Sequence, residues 1–471
     1  MLGDKFIIKF ILAYNNFALF YLIVTSITTT ILFLLAIKGV RNYRNQLKNW
    51  PYYKMVTSAY VPPVSILVPS YNEEKTVVNN IMSLLSIEYS QFEVVVINDG
   101  SKDSTLDVLR KAFDLKRIDK PYQETIITQE IRGVYVSARI PNLTVIDKVN
   151  GGKADALNVG INCCKYPLFT AIDADSILEK NSLLKVIRPF IDDPEKVVVT
   201  GGIVRVLNGS KVENGFIQEV FLSKSPLAIL QTVEYLRAFL FGRMGWSELN
   251  SLLIVSGAFG VFKKDIVLKI GGYSADTIGE DMELIIKVHK YMKREKKQYK
   301  IYFIPDPVCW TQAPEDIKSL KGQRIRWHRG LMDSLLNHKD MFLNPKYGII
   351  GMVAIPYYWI VEMFGPMIEV LGYVSVLLSY LLGVLNYDFA IIFFVFSVLY
   401  GVFISIGSVM LEENNFMKYD KVSDYVKMVF YAIIENFGYR QLNSLWRVRA
   451  FFGYRRKKNN WGEIARQEFD E

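Results

Sequence analysis

Residues 64–74, VSILVPSYNEE, form a run rich in β-branched and aliphatic side chains that stops abruptly at Ser70, Tyr71, Asn72 and Glu73. Such a run, bounded by turn formers, reads as a buried strand. The next stretch, EKTVVNNIMSLLS (74–86), changes period, and Val77, Val78, Ile81, Leu84 and Leu85 fall on one helical face. Three more strand-like runs follow, FEVVVIND (92–99), LTVID (143–147) and LFTAIDAD (168–175), with helical stretches between them. Strand, helix, strand in this order predicts an α/β domain over residues 60–344, built on a parallel sheet with right-handed crossovers.

Ligands of such sheets bind beyond the carboxyl ends of the strands, so the strand-terminal residues carry the functional information. These are Ser70 to Glu73; Asn98, Asp99, Gly100 and Ser101; and Asp173, Ala174 and Asp175. One acid at a strand end is commonly a cap or turn former. Three polar ends on one edge predict a site. Asp173 and Asp175 can present oxygens to a hard divalent cation, which would hold phosphate. NGGKADALN (150–158) places Lys153 at a helix start, a point charge suited to a diphosphate. It is not a Walker A loop, which needs an earlier glycine and a Ser or Thr after the lysine.

Further on, SGAFGVF (256–262) puts small residues where a backbone must approach something closely. TIGEDMELIIKVHKY (277–291) opens a helix with Leu284, Ile285 and Val288 inward and with Glu280 and Asp281 in its first turn. Acids there complement the helix dipole. Asp281 is also the preferred general base, expected to be kept ionised by that helix terminus.

The chain of 471 residues is 51% apolar, above the roughly 45–50% of soluble globular proteins. Phe10 to Ile37 holds no charged side chain, and 17–37 alone is long enough to cross a bilayer, so residues 1–45 read as a retained membrane anchor. Residues 345–471 predict two more crossings, near 364–385 and 389–411, with 348–360 an interfacial or re-entrant helix and 426–439 lying at the interface; four crossings is the alternative. Lys38, Arg41, Arg44 and Lys48 follow the first span, while only Lys5 and Lys9 precede it, which predicts a cytoplasmic middle of the chain in a multi-pass plasma-membrane protein. Arg447, Arg449, Arg455, Arg456, Lys457 and Lys458 then also face inward. Intramembrane Glu362 and Glu369 would line a polar path or sit solvated at the interface.

The net charge of +9 is read as juxtamembrane Lys and Arg meeting lipid head groups. No zinc-knuckle, basic-helix or aromatic RNA-binding motif accompanies it, so nucleic acid is not expected as a partner. Cys163, Cys164 and Cys309 make neither a metal motif nor a disulfide framework. His289, His328 and His338 form no cluster. Just ahead of the apolar tail, GQRIRWHRG (322–330) spaces Gln323, Arg326 and Trp327 as Q-x-x-R-W; a Trp beside a membrane is often an interfacial anchor.

SYNEE, VVINDGSKDST, GGKADALN, DAD, GED and QRIRW, in this order over roughly 64–329, resemble the family 2 glycosyltransferases. The resemblance is to the processive membrane-embedded branch that includes cellulose, chitin, hyaluronan and poly-N-acetylglucosamine synthases. It implies a GT-A fold, a UDP-sugar donor (UDP-glucose or UDP-N-acetylglucosamine), Mg2+ or Mn2+, and inverting, processive synthesis of a β-linked extracellular polysaccharide passed across the membrane. On that resemblance Asp99 contacts the uridine, with Tyr71, Asn72 and Glu73 in the same pocket. Lys153 and the Asp173, Asp175 pair hold the diphosphate through the metal, and Asp281 is the base. Gln323 and Arg326 close over the diphosphate, Trp327 stacks on the acceptor sugar, and Ser256, Gly257 and Glu280 belong to the acceptor side.

Two features depart from the branch. Gly279 stands where the cellulose-type pattern has threonine, and the short basic tail predicts no cyclic-dinucleotide control through a β-barrel domain. Transfer of one sugar to a lipid or polyprenyl phosphate, and a non-catalytic membrane subunit, are the alternative readings; intact Asp99, Asp173, Asp175 and Asp281 count against the second.

Overall fold

The computed structural model describes residues 2–48, 50, 55, 60–119, 121–173, 176–213, 215–419, 421–452 and 454. Asp175 and the basic run Arg455 to Lys458 lie outside the described residues.

Twelve strands are present among them: β1 (Val64–Ser70), β2 (Phe92–Asn98), β3 (Leu115–Ile118), β4 (Ile131–Ser137), β5 (Leu143–Lys148), β6 (Leu168–Ala171), β7 (Ile177–Leu178), β8 (Val197–Val206), β9 (Lys211–Glu213), β10 (Phe216–Glu219), β11 (Gly260–Lys263) and β12 (Lys300–Thr311). Ten form one sheet in the order β3-β4-β5-β2-β1-β6-β11-β8-β12-β7, while β9 and β10 make a separate hairpin. The four strands expected from sequence are neighbours and pair in parallel, β5 with β2, β2 with β1 and β1 with β6. The sheet as a whole is mixed, which corrects the purely parallel expectation. β11 runs antiparallel between β6 and β8, and β4 runs antiparallel to both β3 and β5. β11 escapes a periodicity reading because it is four residues long and begins with glycine.

The helices that matter below are α1 (Leu2–Leu47), α2 (Val77–Leu85), α3 (Thr105–Phe113), α4 (Lys153–Cys163), α5 (Ser182–Asp192), α6 (Pro226–Tyr235, running on through the π-helical stretch Leu236–Arg243), α7 (Glu280–Arg294) and α8 (Ile317–Asn337). Val77, Ile81 and Leu84 of α2 and Leu284, Ile285 and Val288 of α7 are buried, as their spacing predicts. With the apolar strands they join one core that also takes in Leu32, Ala36 and Val40 of α1. α1 and the sheet domain therefore share packing.

Among the described residues two helices are long and apolar enough to cross a membrane, Ile8–Leu47 and Tyr387–Phe416. A third span is added if α9 (Ile350–Met363) and α10 (Gly365–Leu381), bent by 42° at their junction, are taken together. The bend falls where Pro366 enters the first turn of α10, a position at which the missing N–H costs nothing but the preceding residue is steered away from helix. Beyond α11 (Tyr387–Phe416) come α12 (Val422–Ile434) and α13 (Arg440–Phe451). Along α1 the exposed side chains include Phe10, Phe17, Phe20, Ile27, Ile31 and Leu34, an apolar surface that suits lipid.

Charged contacts fasten this part to the sheet. Arg205 on β8 pairs with Glu412 on α11, both buried, and Lys418 reaches Glu179 at 2.7 Å. Glu362 and Glu369, read as lining a polar path or as solvated at the interface, both have partners within the protein. Glu362 meets Arg447 of α13 at 3.2 Å, and Glu369 accepts from Tyr373 and from Ser444 of α13, each at 2.9 Å.

Candidate active site

The carboxyl ends of β1, β2 and β6 open on one edge, and the loop before α4 and the first turn of α7 meet there. Lys153, the first residue of α4, places its Nζ 2.6 Å from Asp173 Oδ1, two residues beyond β6, and 3.7 Å from Glu280 Oε1. Burial works against its charge, but Asp173, Asp281 and Glu280 outweigh burial and hold the ammonium well above its ordinary value. Lys153 is thus a permanent cation among three carboxylates.

Asp281 lies beside this group. Desolvation, with the neighbouring charge of Glu280, pushes its carboxyl up to about 7, against the pull of Lys153 and of a hydrogen bond from the Gly257 N–H. The expectation that the helix terminus keeps it ionised is therefore corrected: burial outweighs the dipole, and Asp281 titrates near neutrality. The small residues of SGAFGVF have their cause here, because a Cβ on Gly257 would lie 2.2 Å from Asp281 Oδ2. Glu280, expected on the acceptor side, is buried and turned toward Lys153; burial raises its carboxyl as well. Ser256 is partly exposed on the same turn, ahead of β11.

Two residues expected on the nucleotide are engaged within the protein. Asp99 is 3% exposed. Its Oδ1 takes Lys148 Nζ at 2.5 Å and the Gly151 N–H at 2.9 Å, and its Oδ2 takes the Gly152 N–H at 2.8 Å and Asn150 Nδ2 at 3.2 Å. Instead of presenting a free carboxylate, Asp99 moulds the loop that delivers Lys153. Glu73 is likewise buried and accepts from Thr76 Oγ1 at 2.9 Å at the start of α2. Tyr71 is 42% exposed at the mouth, and Asn72, in left-handed conformation with φ 55°, accepts the Lys102 N–H at 2.9 Å. These two remain open to a ligand.

The Q-x-x-R-W spacing lies on α8. Arg326 is close enough to Glu280 to lower its carboxyl in part, so that side chain faces the charged cluster, while Trp327 is 47% exposed. Gln323 is turned to Arg324, whose Nη1 it accepts at 3.0 Å. The helix approaches so closely because glycine meets glycine: a Cβ on Gly279 would lie 2.5 Å from the Gly330 carbonyl oxygen. Threonine cannot stand at 279 in this packing. On its far side α8 touches α13, with Arg447 Nε 3.2 Å from His328 Nδ1.

Sequence reasoning missed three participants. Lys148 bridges Asp99 and Asp155, the latter at 2.7 Å, from a fully buried position; its only signal was a lysine closing an apolar strand. Glu234 and Arg324 pair at 2.7 Å beneath Trp327, and nothing in α6 marks Glu234 out.

Among the described residues no three His, Cys, Asp or Glu side chains gather into a metal site of their own. The donor chemistry still fits a cation shared with a ligand. Asp173 keeps its carboxylate partly exposed beside Lys153, and a Mg2+-like ion commonly takes one or two carboxylates plus substrate phosphate.

Comparison with known proteins gives the family and the fold. The model for glycosyl transferase family 2 matches residues 65–267, and that for glycosyl transferase family group 2 matches residues 168–406, half of the chain. A poly-beta-1,6-N-acetyl-D-glucosamine synthase of Staphylococcus epidermidis is 30% identical over 279 residues, 59% of this chain and 56% of that protein. Its counterpart in Staphylococcus aureus (strain COL) is 28% identical over 302 residues, 64% and 61% of the two chains. The matches thus span less than two thirds of those relatives. Among solved structures, the mannosyltransferase PcManGT from Pyrobaculum calidifontis, in complex with GDP-Man and Mn2+, has a TM-score of 0.50 at 16% identity, covering 91% of this chain and all of that one, which speaks for the GT-A fold. With the mixed α/β sheet and these matches in agreement, the chain belongs to the family 2 glycosyltransferases.

Proposed function

We propose that this chain is an inverting, processive hexosyltransferase that builds a β-linked polysaccharide from a UDP-sugar at the cytoplasmic face of the plasma membrane and passes it across. UDP-N-acetylglucosamine is favoured over UDP-glucose, because the synthases it resembles make an N-acetylglucosamine polymer. The observation that carries the reading is Asp281: a half-buried carboxyl pushed up to about 7 by desolvation, beside the Lys153 cation at the edge where the strands end.

The chemistry follows from these positions. Asp281 takes the proton of the acceptor hydroxyl as that oxygen attacks the anomeric carbon from the face opposite the nucleotide. Attack on an α-linked donor leaves a β bond, and no covalent intermediate is required. Lys153 and Arg326 stabilise the negative charge gathering on departing UDP. Asp173, with Asp175, would hold a Mg2+ or Mn2+ ion, which when bound supplies further charge neutralisation at the diphosphate. Trp327 offers its face to the apolar face of a pyranose ring and keeps its N–H for a hydroxyl. Its helix packs against α13, which supports an acceptor kept at the membrane between additions.

The test is UDP release from membranes given UDP-N-acetylglucosamine or UDP-glucose with Mg2+ or Mn2+, followed by sizing of the product. A long polymer from one donor is expected. A single sugar on lipid would overturn processivity and the role of Trp327.

A further inference from the structure

Arg324 is the charged member of QRIRW for which the motif supplies no role. It is buried under Trp327, its Cζ 4.4 Å from the indole centroid, and its Nη2 donates to Glu234 Oε2 at 2.7 Å. Tyr235, next to Glu234, lies against the same indole with centroids 6.3 Å apart at 41°. Trp327 is therefore bracketed by two residues whose place depends on α6.

The same Glu234 oxygen accepts the Tyr439 hydroxyl at 2.7 Å. Tyr439 ends the stretch Glu435–Tyr439 between α12 and α13, where helical geometry breaks at Phe437 (φ −115°, ψ 80°) and Gly438 (φ 109°, ψ −52°). At the other end of that break, Glu435 faces Arg237 at 3.6 Å, three residues along from Glu234. The helix break is pinned at both ends to the helix that holds Arg324. Burial opposes the charge of Arg324, and Glu234 outweighs burial, so the guanidinium stays charged and in place. Without the carboxylate, a buried cation would be left uncompensated and would be driven toward water, away from the indole.

We infer that Glu234 is a positioning residue: by holding Arg324 against Trp327 and joining both to the helix break at 435–439, it sets acceptor engagement and product length without acting on the donor. This rests on the reading of Trp327 as the acceptor platform.

The test uses membranes carrying the full chain, given UDP-N-acetylglucosamine or UDP-glucose, whichever turns over, with and without a β-linked pentasaccharide of the same sugar. Donor KM, acceptor KM and product length are compared for Glu234→Ala, Tyr439→Phe, Trp327→Ala and the double variant Glu234→Ala/Trp327→Ala. Glu234→Ala should raise acceptor KM and shorten the product by about threefold to tenfold, the scale of one cation–π contact, with donor KM unchanged. Tyr439→Phe should move both the same way by less, and Glu234→Ala should add nothing to Trp327→Ala. A raised donor KM, or an effect that adds in full to Trp327→Ala, would overturn the inference and leave the platform standing. Trp327→Ala with normal acceptor KM and product length would remove the platform itself. Should Glu234→Ala fail to accumulate, wild-type acceptor KM and product length in Tyr439→Phe would decide against the inference.

Discussion

The Asp281 carboxylate occupies the space that a side chain on residue 257 would need, since a Cβ there would sit 2.2 Å from Oδ2 and 2.5 Å from Oδ1. Gly257→Ala must therefore move the carboxylate while leaving Lys153 and Asp173 in place. Turnover should fall about a hundredfold, the lower range for loss of a general base, with donor KM unchanged. UDP release against donor concentration checks this, and undiminished turnover would show that the contact is irrelevant to the chemistry.

Burial raises Asp281 to about 7, and that fixes a pH dependence. The base form fills as pH rises, so kcat/KM should fall off below about pH 7 and level above it. Asp281→Asn should lower kcat by about 10²–10⁴ and abolish the acid limb while UDP still binds. Lys153 pulls the carboxyl down, so Lys153→Met should move the limb to higher pH. Stability gives a second sign. A carboxyl raised in the folded state favours folding at low pH, and the contribution is lost as pH rises through 7. Asp281→Asn should thus melt above wild type at pH 8, with the gap narrowing toward pH 5; the reverse order in a thermal scan would contradict the burial argument.

How far these features could be read from the chain depends on the range of the forces behind them. Strand ends such as Ser70 to Glu73 and the acids of GED announce themselves because a β-branched run or an amphipathic helix stops beside them, and those patterns are local. The need for small residues at 256 and 257 was visible too, although what they accommodate was not. The engagement of Asp99 could not be read: it is set by Lys148 and the Gly151 and Gly152 N–H groups, some fifty residues away in sequence. The upward shift of the Asp281 carboxyl has the same origin, since desolvation is a property of the packed site. β11 and Glu234 were hidden for a simpler reason, being a strand too short to show a period and a polar residue on an otherwise ordinary helix.

Arg205 and Glu412 join the sheet to α11 as a buried pair, 2% and 0% exposed. Removing one partner strands the other charge, so Glu412→Ala should cost about 3–5 kcal/mol of stability. Replacing both, as Arg205→Met with Glu412→Leu, should recover most of that loss, because apolar side chains of similar size need no compensation. Thermal unfolding of the detergent-solubilised chain measures both, and a double variant no better than the single would contradict the pairing.

Gly330 sets how near α8 comes to the base. Its Cβ would meet Gly279 Cα at 2.9 Å and Gly279 N at 3.0 Å, backbone atoms that cannot swing aside. The same surface is fastened by Ser334 Oγ donating to the Gly279 carbonyl at 3.2 Å and by the Ile278 N–H donating to Asp333 Oδ2 at 3.3 Å. Gly330→Ala must lift α8, carrying Arg326 and Trp327 away from Asp281 and Lys153, while the sheet and the Asp99 loop stay as they are. A misplacement of about 1 Å is enough to cost roughly a hundredfold in rate. UDP should therefore still bind, turnover should fall about tenfold to a hundredfold, and Gly279→Thr, with a larger intrusion on the other side of the same contact, should do worse. Wild-type rates in both would mean that α8 does not complete the site.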